Sequence, residues 1–398
     1  MNDRSTASTV TSSLEQVRAV LDHHLRALWE DRSRARILPP VMLWGPPGIG
    51  KSAVVRQVCE EKGIGFVDVR LAQREPVDVR GLPVPKDGVV QWLLPDEYPR
   101  DRDSRGIILF DELTAADRTL QVAAYEFILD RRLGSLYEVP SGWYVMAAGN
   151  RTSDRAVATT MSSALANRFC HLDVAPDLEG WVRWAQAAGV HPDVIGFLRF
   201  RPNLFLDMKG NLERGWPSPR AWERVGLETD LVDRLDASTF RVVIAGLVGS
   251  GAAREYLAFR TWRGDLPAIE AMLSGEAPVA IPDKADHRYA LCAGVAWYLW
   301  RRNAWLRSLD VFFEIVEALP ADFAAMLIVD AINLGKPEQV AALVQHPRFA
   351  VWGGKHGPTL VARFSANATA IARETMAAEL PPDLPLPDDL LAAWEPAE

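Results

Sequence analysis

The stretch VMLWGPPGIGKSAVVRQVCEEK, residues 41–62, decides how the rest of the chain is read. Val41–Trp44 is a short apolar run with the composition of a buried strand, and Lys51–Lys62 carries helical spacing. Between them GPPGIGKS, residues 45–52, has the spacing GxxxxGK[ST], which requires that strand–loop–helix context. Gly45, Gly48 and Gly50 let the backbone turn successive N–H groups towards phosphate oxygens, with Pro46, Pro47 and Ile49 completing the loop. Lys51 is placed to neutralise charge on β- and γ-phosphates, the Ser52 hydroxyl to ligate Mg2+, and the helix N-terminus to add its dipole. A nucleoside triphosphate is the expected ligand.

Outward from the loop, short apolar runs alternate with helical patterns, the signature of an α/β unit with a largely parallel sheet. Expected strands are Val41–Trp44, Gly65–Leu71, Gly106–Phe110, Trp143–Ala148 and Cys170–Val174. Expected helices are Leu14 to about Arg34, Lys51–Lys62, Ala115–Leu133 and about Thr159–Asn167. The strand signal fades after Pro176. The chain is therefore divided into a polar, disordered tail (1–13), an α/β nucleotide-binding core with an N-terminal helix (14–176), a helical lid (177–264) and a helical C-terminal extension ending in an acidic, Pro-rich tail (265–398).

GIILFDE (106–112) ends an apolar strand in two acids. Asp111 is placed to hold Mg2+ at the strand tip, and Glu112 to orient and polarise an attacking water. WYVMAAGN (143–150) ends in Asn150, a polar group at a carboxyl strand edge, where ligands bind in open α/β sheets. Arg168, just before the strand CHLDV, suits a neighbouring subunit's γ-phosphate better than its own. Arg220, in PSPRAW at a helix start, is placed to reach back from the lid to the γ-phosphate. Arg151 and Arg155 read either as a second contact to a neighbour or as a solvated loop.

These elements, in this order, resemble the AAA+ ATPases, where they are called Walker A, Walker B, sensor one, arginine finger and sensor two. Within that superfamily the chain is most similar to the MoxR-like branch. The stretch REPVDVRGLPVPKDGVVQWLLPDEYPRD (74–101), with Asp78, Gly81 and Pro83, resembles the insert in helix two of that branch, and DRRLGSLYEVPSGW (130–143) resembles the hairpin before its sensor-one strand. Gly149-Asn150-Arg151 and Ser163–Phe169 depart from the branch's Asn-Pro and Pro-Glu-Ala-Gln-x-Asp-Arg-Phe patterns. The resemblance implies Mg2+-dependent hydrolysis of ATP, a homo-oligomeric, hexameric ring, and a protein client, frequently one carrying a von Willebrand factor A domain. By the same resemblance the 74–101 insert either faces a central pore through Val89, Val90, Trp92, Leu93 and Leu94 or packs on its own domain.

Composition bounds the alternatives. The 398 residues are 48% hydrophobic and 24% charged, which excludes wholesale disorder. A net charge of −8 argues against a nucleic-acid-associated motor or a restriction-type NTPase subunit, the competing reading. Cys59, Cys170 and Cys292 are widely spaced and read as reduced, buried thiols. The polar N-terminus lacks the apolar core of a signal peptide, and the longest apolar run, Tyr289–Trp300, is too short to span a bilayer, so a cytoplasmic protein with no membrane contact is expected. AWYLWRRNAWLR (296–307) interleaves aromatics with arginines but places Trp297, Trp300 and Leu306 towards one helical face, the pattern of a core helix. His23 and His24 are expected on an exposed helix, and no histidine has metal-ligand spacing.

Overall fold

The computed structural model describes residues 10–134, 136–154, 161, 166–209, 214–263 and 268–363. Two units, Met1–Gly180 and Trp181–Glu398, are described separately.

The first unit is built on a six-stranded sheet. In chain order its strands are β1 (Thr11–Ser12), β2 (Val41–Trp44), β3 (Gly65–Arg70), β6 (Gly106–Asp111), β9 (Trp143–Gly149) and β10 (Cys170–Val174). They lie side by side as β1-β10-β2-β9-β6-β3, and every pairing is parallel. The central strands β2, β6 and β9 are buried almost throughout, which is why they read as continuous apolar runs rather than alternating ones. β9 lies between the strand before the glycine loop and the strand ending in Asp111, with Trp44 opposite Gly149 and Phe110 opposite Ala147. All three therefore deliver their carboxyl ends to one edge.

Helices cover the sheet. In α1 (Leu14–Glu30), Val17, Leu21, His24, Leu25 and Leu28 are buried at helical spacing, and a Ser13–Gln16 capping box starts the helix. His24 is thus buried rather than exposed as expected, 9% accessible, because it falls on the apolar stripe. The helix stops at Glu30, short of Arg34, because Asp31 is extended and its carboxylate accepts from Ser33 N at 3.0 Å, capping a separate turn. α2 (Lys51–Lys62) ends on Gly63 at φ 61°, where the Ile64 N–H reaches Cys59 O at 3.0 Å. α4 (Arg118–Asp130) packs Phe127 against Phe110 and Tyr98, with ring centroids 5.1 and 4.9 Å apart.

Between β3 and β6, α3 (Pro76–Arg80) leads into an antiparallel hairpin of β4 (Leu82–Lys86) and β5 (Val89–Leu93). Asp87 and Gly88, at φ 52° and 80°, form a two-residue turn with positive φ at both positions. Leu82, Val89, Val90 and Leu93 are more than half exposed. A second hairpin, β7 (Arg132–Leu133) with β8 (Tyr137–Glu138), precedes β9. Arg131, left-handed at φ 55° and buried, opens it by donating to Pro140 O and Trp143 O at 3.1 and 2.7 Å; burial pushes its guanidinium pKa down to about 10.

The start of the chain departs from expectation: Thr11–Ser12 pairs with Asp173–Val174 and extends the sheet instead of belonging to a disordered tail. The helix expected at 159–167 lies mostly outside the described residues, as does Arg155. Cys59 and Cys292 are buried as expected, but Cys170, at the start of β10, is only half-buried.

The second unit is helical where described: α5 (Leu178–Ala187, which straddles the division), α6 (Pro192–Phe200), α7 (Pro219–Asp230), α8 (Ala237–Arg263), α9 (Ile269–Ser274), α10 (Ala285–Leu299), α11 (Trp305–Ala318), α12 (Ala321–Leu334), α13 (Pro337–Val344) and α14 (Pro347–Arg363). α10 contains most of the apolar run noted above and is buried on nearly all sides. Trp300 donates to Ala331 O at 2.7 Å, as a core position does, whereas Leu306, expected on the same face, is 62% exposed. Arg301 stacks 3.3 Å over Trp297. α6 and α12 are joined by Arg199 and Asp330, the latter wholly buried, with Arg199 Nη2 to Asp330 Oδ1 at 2.9 Å. Among the described residues one segment, Ala237–Thr261, is long and apolar enough by length and composition to cross a membrane, with a mean hydropathy of 1.3. It is interrupted by Gly249 at φ 79°, where the Gly215 carbonyl crosses, and its Tyr256 packs edge-on to Phe197 and Trp222.

Candidate nucleotide-hydrolysing site

The loop after β2 takes the shape its glycines permit. Gly45, Gly48 and Gly50 have φ of 152°, 79° and 102°. A Cβ on Gly45 would lie 2.7 Å from Val174 O and 2.8 Å from Ile49 Cδ1, so the loop is wedged between β10 and its own buried isoleucine. Gly50 caps α2 without any side-chain hydrogen bond, which leaves the first-turn N–H groups of α2 to an anionic ligand. Trp44 anchors the loop's start: its Nε1 donates to His171 Nδ1 at 2.8 Å, so His171 carries its proton on Nε2 and donates that to Ala166 O at 2.7 Å.

Lys51, 8% exposed, donates from Nζ to Gly45 O at 2.6 Å, Pro46 O at 3.0 Å and Asn150 Oδ1 at 3.0 Å. Ser52 Oγ donates directly to Asp111 Oδ2. A hydroxyl and a carboxylate in contact, beside a lysine and an uncapped helix end, are hard oxygen donors matched to Mg2+, an ion that takes one or two protein ligands and fills its shell with water and phosphate. Glu112 follows at φ 57°, an unusual conformation for a non-glycine residue, with its N–H donating to Asp111 Oδ1 at 2.8 Å.

The structure thus brings together Gly45–Ser52, Asp111, Glu112 and Asn150 at one sheet edge. Arg168 is not among them. It precedes Cys170, which pairs with Val41 at the start of β2, and it lines a cavity of about 380 Å³ with Pro39, Pro40, Arg36, Tyr144 and Arg131. β2 alone separates that edge from the loop by ~13 Å at about 3.3 Å per residue, so Arg168 is exposed at the opposite end of the sheet. Arg151 is bound within its own chain, 2.8 Å from Asp173 Oδ1, with its N–H donating to Asp154 Oδ2 at 2.8 Å. Arg220 belongs to the second unit, exposed on the first turn of α7, which Ser218 caps through Ala221 N at 3.2 Å.

Sequence reasoning passed over Thr114. It is 2% exposed, and its hydroxyl accepts from Asn150 N at 3.1 Å and donates to Asn150 O at 3.0 Å. Gly149 makes room for it: a Cβ there would lie 2.7 Å from Thr114 Oγ1 and 2.9 Å from Met42 Cε. A threonine two positions after the acidic pair, DELT, carries no pattern of its own; only the packing of β6 beside β9 reveals it.

The fold and this edge are those of a P-loop ATPase core of the AAA+ fold. Residues 41–154 match the model of the ATPase family associated with various cellular activities (AAA), the segment that holds the loop, the acidic pair and Asn150. Among solved structures the chain is similar to a RuvB variant from Thermotoga maritima, with 16% identity, 71% of this chain and 82% of that chain covered, and a TM-score of 0.36. It is also similar to NtrX from Brucella abortus in complex with ADP, with 17% identity, 84% and 68% covered, and a TM-score of 0.33. No curated protein matches the chain.

Proposed function

We propose that the protein is a ring-forming, MoxR-like AAA+ ATPase that uses Mg2+-dependent ATP hydrolysis to remodel or activate a protein client in the cytoplasm. The observation that carries this reading is the position of Arg168 at the sheet edge opposite Gly45–Ser52. An arginine there is too far to serve its own nucleotide and faces outward, where a second copy would present its γ-phosphate; such a finger in trans contributes ~10³–10⁵ in rate. A hexameric ring satisfies every subunit in this way. The exposed apolar tip of the β4–β5 hairpin, Val89 and Val90, supports contact with a polypeptide.

In this reading Gly45–Ser52 bind the triphosphate through backbone N–H groups, and Lys51 exchanges its carbonyl partners for phosphate oxygens. Ser52 and Asp111 would hold Mg2+, which would supply positive charge to offset that of the phosphates. Glu112 orients the lytic water and takes its proton, while Asn150 fixes the γ-phosphate and that water beside the Lys51 ammonium.

Mixing a Lys51→Ala chain with an Arg168→Ala chain tests the trans arrangement. Each alone is expected to be inactive, and the mixture to recover turnover at interfaces that join an intact loop to an intact finger. Rings of correct mass by light scattering that show no recovery at any ratio would overturn it. A Glu112→Gln chain loaded with ATP should retain the client in a pull-down, a von Willebrand factor A protein being the one expected. Stimulation of turnover by single-stranded DNA at low salt would favour a nucleic-acid motor instead.

A further inference from the structure

The hydroxyl of Thr114 bonds both polar groups of one peptide position, accepting from Asn150 N at 3.1 Å and donating to Asn150 O at 3.0 Å. A residue just past a strand end ordinarily finds water or a turn for these groups. Here the backbone of Asn150 is instead pinned to the turn that follows Asp111 and Glu112. The same turn is laced to β9 by Leu113 N to Ala148 O at 3.0 Å and closed by Ala115 N to Glu112 O at 2.9 Å. Gly149 keeps the approach open, since any side chain there would strike Thr114 Oγ1 and Cγ2. With its backbone held, Asn150 turns its Oδ1 to Lys51 Nζ at 3.0 Å.

We infer that Thr114 is a positioning residue for hydrolysis: its buried hydroxyl couples the Glu112 turn to Asn150 and sets where the Asn150 amide meets the γ-phosphate and the water. The inference rests on the reading of Asn150 given above. Thr114 lies under the site and acts through Asn150, so it governs turnover more than nucleotide affinity. Displacing a catalytic group by about 1 Å costs on the order of 10²-fold in rate, and removing the hydroxyl releases both of the backbone groups it holds.

The test measures kcat and KM for ATP by phosphate release, the affinity for a fluorescent ATP analogue, and Tm. The chains compared are Thr114→Val, Thr114→Ala, Thr114→Ser, Asn150→Ala and the double variant Thr114→Val/Asn150→Ala. Thr114→Val is expected to lower kcat by about 10- to 100-fold with KM and analogue affinity little changed, and Thr114→Ser to restore most of the loss. In the double variant kcat should fall no further than in Asn150→Ala alone, because both changes remove one coupled unit. If Thr114→Val does not fold, Thr114→Ala carries the same comparison. Multiplying losses in the double variant, an unchanged kcat in Thr114→Val, or a failure of Thr114→Ser to recover would each overturn the role of Thr114. A normal kcat in Asn150→Ala would remove the reading of Asn150 and this inference with it. A low kcat there beside a normal one in Thr114→Val would remove the inference alone.

Discussion

Lys51 Nζ and Asn150 Oδ1 lie 3.0 Å apart, although 99 positions separate them in the chain. The contact exists because β9 is inserted between β2 and β6, so the residue after β9 meets the first residue of α2. With Gly45 O and Pro46 O, Asn150 offers the ammonium a third oxygen. In the function proposed above, a triphosphate would compete with the two carbonyls for Lys51, next to Asn150.

Glu112→Gln keeps the side chain's size and removes its basicity. Turnover should fall by ~10²–10⁴, the contribution of a positioned general base, while nucleotide affinity stays near that of the parent. Single-turnover phosphate release alongside analogue binding separates the two; retained turnover would show that another group handles the water.

Gly45→Ala should destabilise the first unit and weaken nucleotide binding together. The new methyl meets Val174 O at 2.7 Å and Ile49 Cδ1 at 2.8 Å, and the residue is held at φ 152°. A cost of about 1–3 kcal/mol is expected from strain and overpacking, read from denaturant unfolding with and without ATP. An unchanged midpoint would mean that β10 yields to the loop.

His24 makes stability depend on acid. Tyr144 OH donates to Pro39 O at 2.6 Å, so it accepts from His24 Nδ1 at 2.9 Å, and Nδ1 carries a proton. Burial, then repulsion from His23, lowers its pKa below 6.5. A base whose folded pKa is depressed favours the deprotonated folded state, so stability is full above pH 6.5 and declines as pH falls towards the folded pKa. His24→Asn, which can still donate to Tyr144, should flatten that part of the profile; an identical slope in urea unfolding across pH 5–7 would exclude His24 as its source.

In the second unit, Arg199 and Asp330 form an ion pair with side chains 7% and 0% exposed. Removing one partner, as in Asp330→Leu, strands a buried charge and should cost about 3–5 kcal/mol. The double change Arg199→Met with Asp330→Leu should recover much of that loss. Additive losses in unfolding free energy would show that the pair does not act as a unit.

Local signals carried much of the site. The loop 45–52 and the acidic pair 111–112 were legible because each couples a spacing to an adjoining apolar strand, and the structure bears out those strands within a residue. Thr114 was not legible, since its role depends on which strand lies beside β6. His24 was misjudged because two adjacent histidines read as polar, although one occupies the apolar stripe that starts at Val17. Thr11–Ser12 looked like tail because a two-residue strand on a sheet edge has no periodicity to detect.

By itself the sequence determined the parallel α/β core and the glycine loop after its second strand, because backbone freedom at glycine and burial of apolar runs act within a few neighbours. The tertiary structure alone decided that β9 separates β2 from β6, that Thr114 holds Asn150 against Lys51, and that Arg168 stands at the far edge of the sheet. Those relations follow from strand order, which is settled by how whole faces pack together and is written in no short stretch of residues.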